Sequence, residues 1–228
     1  MALVTWHRMK KAVVLLSGGL DSATILYDAM RQGFRPECLI FSYGQRHRKE
    51  IGHAKRIAKR AKCPYKLVNI ALPWQGSSLL DRSMRLPTRS KIDPKHIPST
   101  YVPARNIIFL SFAASYAEAI AAKAVFIGAN AIDYSGYPDC RPQFFKSFER
   151  LIKCGMKAGV EGRQIKIVAP LVHKTKAQII RLGSRMNVPY ELTWSCYKGA
   201  HRPCGVCESC RLRAKGFQEA GVKDPIMM

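Results

Sequence analysis

The chain has 228 residues, 47% of them apolar, and carries 38 basic against 15 acidic side chains, a net charge of +23. That size and apolar share fit one globular domain with at most a small appendage. No apolar stretch nears the ~18 residues of a membrane span, and the run at Ala12 is too short for a secretory leader, so a cytoplasmic location without membrane partners is expected.

Met1 to Arg8 show no pattern, and Met9 reads as a natural start, which makes the first eight residues an upstream extension or tail. Ala12-Val13-Val14-Leu15-Leu16 is a β-branched apolar run that predicts a buried strand. Ser17-Gly18-Gly19-Leu20-Asp21-Ser22 follows, and Ala23 to Arg31 is amphipathic and helical. A strand, a Gly-rich turn and a helix N-terminus together form an anion site, because free N–H groups and the helix dipole converge there. The loop lacks the Lys of Gly-x-x-x-x-Gly-Lys-Ser/Thr and the spacing of Gly-x-Gly-x-x-Gly.

Alternation then continues. Pro36 to Phe41 and Tyr65 to Ile70 read as strands, separated by a helix over His47 to Ala61. Asn106 to Ala121 reads as a helix, Ala124 to Gly128 as a strand, and Gln143 to Met156 as a helix. Ile165 to Ala169 reads as a strand and Lys174 to Leu182 as a short helix. Such alternation predicts an α/β fold with a doubly wound, Rossmann-like parallel sheet and ligands at the strand C-terminal ends. Loops after Leu16, Phe41, Gly128 and Ala169 should converge there. Ala71 to Arg105, with five prolines, interrupts the pattern and reads as a mobile loop on the substrate side.

Cys196, Cys204, Cys207 and Cys210 are spaced Cys-x7-Cys-x2-Cys-x2-Cys. Clustered thiolates suit one structural Zn2+, with an iron–sulfur cluster as the other option, and disulfides are disfavoured in a reducing compartment. The expected organisation is a nucleotide-binding domain over 9–190 and a zinc-binding segment over 191–228. Of the remaining cysteines, Cys38, Cys63 and Cys154 read as packing residues, whereas Cys140 is equally suited to packing or to lining the site. Basic residues are scattered over helices and loops rather than gathered in one arm, so nucleic acid is compatible with the charge but not required by it.

Ser-Gly-Gly-Leu-Asp-Ser resembles the PP-loop of ATP pyrophosphatases, which release pyrophosphate while adenylating a substrate oxygen. The wider set of motifs resembles the 7-cyano-7-deazaguanine synthase (QueC) family. It comprises Leu16 to Ser22, Tyr43-Gly44-Gln45-Arg46-His47, Ser99 to Asn106, Asp133 to Arg141, Pro170-Leu171 with Lys176, Thr193 to Cys196, and Leu212 to Phe217. Ser42 stands where that family often has Asp.

The resemblance implies an adenine nucleotide alpha hydrolase-like fold and a homodimer. It also implies ATP-dependent conversion of 7-carboxy-7-deazaguanine and ammonia to the nitrile through adenylated acid and amide. Leu16, Ser17, Gly18, Gly19, Leu20, Asp21, Ser22, Ala23, Thr24, Ile25 and Leu26 would then hold ATP, with Mg2+. Asp21, Arg46 and Arg105 would be catalytic, with Lys176 as a further cation, because charge builds on the phosphates. Asp133 or Asp139 would accept the donor pair of a guanine-like edge, with Tyr137 packed on the ring. A tRNA-thiolating PP-loop enzyme and a non-catalytic nucleic-acid-binding zinc module are the competing readings.

Overall fold

The computed structural model describes residues 9–46, 48–87, 97–131 and 136–226. Its sheet has the order β3-β2-β1-β4-β5, with every neighbouring pair parallel. The strands are β1 (Lys10–Leu15), β2 (Phe34–Ser42), β3 (Tyr65–Asn69), β4 (Ala124–Phe126) and β5 (Lys166–Val168). The chain winds outward from β1 to β3, then returns to place β4 on the other side of β1. The turns leaving β1 and β4 therefore diverge and open a crevice between them.

The helices are α1 (Leu20–Arg31), α2 (Lys49–Arg60), α3 (Arg105–Ala119), α4 (Pro142–Gly155), α5 (Lys157–Val160), α6 (Lys176–Arg185) and α7 (Glu208–Ala220). Neighbouring side chains on β1 point to opposite faces, which divides the apolar packing in two. Val14 joins Ile25, Leu26, Ile57, Ile179, Ile180 and Phe217 on the α1, α2, α6 and α7 side. Val13 and Leu15 join Leu110, Val125, Phe145 and Phe148 on the α3 and α4 side. Both faces are covered, so a strand such as Ala12 to Leu15 is apolar throughout rather than alternating.

α7 was not among the expected elements. Its apolar positions are few and its buried face includes Cys210, Arg213 and Gly216, so periodicity gave little signal. No helix among the described residues is long and apolar enough to cross a membrane.

Candidate active site

The loop after β1 is knitted by its serines. Ser22 Oγ accepts from Ser17 N at 3.2 Å and from Ser17 Oγ at 3.0 Å, and donates to Gly19 O at 3.0 Å. Gly19 precedes α1 without a side-chain cap, so the first-turn N–H groups remain available to a ligand. Gly18 has φ +87°, and a Cβ there would lie 2.3 Å from Glu50 O and 2.8 Å from Ala54 N. Only glycine lets the loop rest this closely on the first turns of α2.

A cavity of about 260 Å³ opens beside the loop at the strand C-terminal ends. Leu16, Ser17, Gly19, Leu20, Asp21 and Ser22 line it. Ala23, Ile25 and Leu26 instead point into the core, while Thr24 Oγ1 donates to Leu20 O and bonds Tyr190 Oη. The loops after β2 and β4 contribute Gln45, Arg46, Gly128, Ala129 and Asn130. From beyond β5, Lys176 reaches the wall at the start of α6. A capping box fixes that start: Thr175 Oγ1 accepts from Gln178 N, and Gln178 Oε1 accepts from Thr175 N.

Lys176 Nζ donates to both oxygens of Asp21 at 2.8 Å. This pair ties the start of α6 to the first turn of α1, on the same side of the sheet. Gly216 of α7 lies where a Cβ would meet Lys176 Cγ at 2.4 Å, so α7 passes directly over the lysine stem. Arg105 opens α3 after Ala104, which turns the chain at φ +54° and donates its N–H to Tyr101 Oη. The Arg105 guanidinium faces Tyr43, Tyr137 and Asp139 and stays protonated. Arg46 donates to the carbonyls of Ser78, Arg82 and Met84, clamping that segment at the cavity rim.

Asp133 lies outside the described residues. Tyr137 lines the cavity, with its hydroxyl bonded to Thr100 Oγ1 at 2.6 Å and its ring 5.7 Å from that of Tyr101. Asp139 is buried behind the wall, where Oδ2 accepts from Asn106 N at 3.0 Å. There it satisfies an amide in the first turn of α3. Burial raises its carboxyl, against the pull of Asn106 and Arg105. Cys140 does line the cavity, and burial pushes its thiol up to about 12, which leaves it uncharged.

The sulfurs of Cys196, Cys204, Cys207 and Cys210 lie within 4.8 Å of one another. Lys198 N and Cys204 N point at Cys196 Sγ, and Cys207 N at Cys204 Sγ, each at 3.4 Å. Inward sulfurs with N–H groups aimed at them fit a closed four-thiolate metal site. The segment leading to it docks on the nucleotide loop: Trp194 N donates to Gly18 O at 2.9 Å. Trp194 Nε1 in turn donates to Cys196 O. Lys49 Nζ sits 4.9 Å from the indole centroid and donates to Ala200 O.

Three residues that no functional role was assigned from sequence also matter. Arg213 is buried, pairs with Asp224 at 2.7 and 2.9 Å, donates to Thr193 Oγ1, and reaches the cavity wall. Trp194 couples the cysteine segment to the loop. Glu50 lines the cavity, where burial, eased by Arg105 and Gln45, pushes its carboxyl up to about 7. Arg213 and Trp194 fall within the quoted motifs; Glu50, in an ordinary charged helix, gave no distinguishing signal.

The family model described as queuosine biosynthesis protein QueC matches residues 11–221. The 7-cyano-7-deazaguanine synthase of Nostoc punctiforme is 53% identical over 221 residues, which covers 95% of this chain and 99% of that protein. The enzyme of the same name from Thermoplasma volcanium is 52% identical, over 95% of this chain and 90% of that protein. The one from Acetivibrio thermocellus is 51% identical, over 96% and 97%. Matched by that family model over residues 11–221 and about half identical to these relatives over nearly their whole lengths, the chain belongs to the queuosine biosynthesis protein QueC family.

Proposed function

We propose that the chain is an ATP-dependent carbon–nitrogen ligase that converts 7-carboxy-7-deazaguanine and ammonia to 7-cyano-7-deazaguanine. The observation that carries this reading is the single cavity shared by the nucleotide loop, Lys176 and the Tyr137–Cys140 segment. A carboxylate is a poor electrophile, and its adenylation supplies a leaving group within reach of the second substrate.

In this reading the loop amides and the hydroxyls of Ser17 and Ser22 hold the ATP phosphates. Lys176 and Arg105 supply fixed positive charge where negative charge develops, at no reorganisation cost during the reaction. Asp21 accepts both Lys176 bonds, which supports its role in ordering the loop; Mg2+ accompanies ATP as the counter-charge. Arg46 acts through the rim segment that it clamps. The deazaguanine edge meets Asp133 or the neighbourhood of Tyr137, with Asp139 holding α3 in place behind them.

The four cysteines hold one Zn2+, whose role is structural because the site offers no open position. The enzyme works in the cytoplasm as a homodimer. Support for self-association comes from the outer face of α3, where Ile107 and Phe112 are each more than two-fifths exposed beside Ser111 and Ser115. Sedimentation velocity checks the dimer, and a single 25.6 kDa species would refute it.

The reaction is tested by incubating purified protein with ATP, Mg2+, ammonium and 7-carboxy-7-deazaguanine and reading products by mass spectrometry. The expected products are the nitrile, AMP and pyrophosphate. A folded, metal-loaded protein that yields no nitrile refutes the reading, and AMP release that depends on tRNA would favour the thiolating alternative.

A further inference from the structure

Among the described residues that line the cavity, the carboxylates belong to Asp21 and Glu50. Asp21 gives both oxygens to Lys176. Glu50 is less committed: Oε1 accepts from Gln45 Nε2 at 3.2 Å, and no described residue donates to Oε2. Gln45 is itself anchored, because it accepts from Tyr43 N at 2.8 Å and donates to Phe41 O at 3.2 Å. Glu50 stands in the first turn of α2, with its own carbonyl against Gly18, so its carboxyl borders the nucleotide loop. The charged and titratable groups around it are Arg105 and Tyr43 directly, with Arg46, Asp21, Lys176, Arg213, Tyr137, Cys140 and Tyr197 elsewhere on the wall.

We infer that Glu50 is the general base for the steps at nitrogen, a role that rests on the reaction proposed above. When ammonia attacks the adenylated acid, nitrogen bonds to the acyl carbon and the C–O bond to AMP breaks. AMP leaves with the electron pair, and one N–H proton passes to Glu50 to give the amide. In the second round the amide oxygen bonds to the α-phosphorus of ATP, pyrophosphate leaves, and Glu50 takes another N–H proton. Cleavage of the C–O bond then releases AMP as the last N–H proton passes to Glu50, leaving the nitrile. Between steps Glu50 returns its proton to solvent. Burial holds the carboxyl at about 7, so base and acid forms coexist near neutral pH.

Adenylation of the acid starts from an ionised carboxylate and moves no proton, which separates this inference from a purely structural role. Two rates on the full, metal-loaded chain test it. One is acid-dependent ATP–pyrophosphate exchange without ammonium, and the other is single-turnover amide formation with ammonium. Absence of exchange in the wild-type protein overturns the proposed reaction and the inference with it.

Given exchange, Glu50→Gln is expected to slow amide formation about 100-fold or more, whereas exchange falls less than about 3-fold. Glu50→Asp should restore part of the amide rate. Equal losses in both rates, or an unchanged amide rate, overturn the inference. The wild-type pH profile tests it without any substitution. At fixed free ammonia, amide formation should fall about tenfold per unit below pH ~7 while exchange does not; parallel profiles overturn it.

Discussion

Gly18→Ala tests whether contact between the nucleotide loop and α2 sets the position of the amides proposed to hold the ATP phosphates. An L-residue at φ +87° costs roughly 1–2 kcal/mol of backbone strain. For a chain of this size that lowers Tm by about 2–8 °C. The added Cβ would also stand 2.3 Å from Glu50 O, and both partners are backbone, so the loop must retreat by at least 0.7 Å to reach 3.0 Å. A displacement near 1 Å at a reacting group costs about 100-fold in rate. Gly33→Ala is the matched control, because Gly33 has φ +80° with nothing within 4 Å of the added Cβ. Scanning calorimetry and AMP release at saturating ATP should show both variants melting a few degrees low. Only Gly18→Ala should lose about 100-fold in turnover. Equal activity in the two variants would refute the argument that this contact positions the loop.

Three further outcomes are expected. The Glu50 carboxyl sits at about 7 in the folded chain against an ordinary 4.5, so the folded state binds more protons between those values and stability falls as pH rises through that window. Glu50→Gln should therefore gain about 3 kcal/mol relative to wild type at pH 8 but not at pH 4.5, read by urea titration; an unchanged difference would contradict the burial argument. Asp224→Asn leaves Arg213 charged and buried, which costs about 3 kcal/mol and at least about 6 °C in Tm, and a fall under about 2 °C would show the pair to be dispensable. Stripping the metal with a chelator should expose the 196–210 segment to proteolysis and abolish AMP release until Zn2+ is restored, whereas full activity in the metal-free protein would separate the two sites.

The nucleotide loop was legible in the sequence because its chemistry is local. A strand followed by two glycines and two hydroxyls within six residues defines the turn that the structure shows. The cysteine site was legible for the same reason, since ligand spacing is a property of adjacent turns. Parallel order followed from strand–helix alternation, with ends shifted by a few residues: α6 runs Lys176–Arg185 where Lys174 to Leu182 was expected. That shift matters, because it makes Lys176 the first residue of the helix rather than part of its body.

What escaped was long-range. Asp139 sits in a motif that suggests a substrate contact, yet its oxygen serves the amide of Asn106 on another element. Nothing near Trp194 in sequence announces that its N–H meets Gly18. Glu50 acquires its character only from burial beside Arg105 and Gln45, which no spacing rule encodes.

The Trp194–Gly18 hydrogen bond also bears on how the protein is born. The nucleotide loop is synthesised before Lys176, Trp194 and Arg213, which brace it or its cavity. A nascent or prematurely terminated chain thus has the turn without its braces.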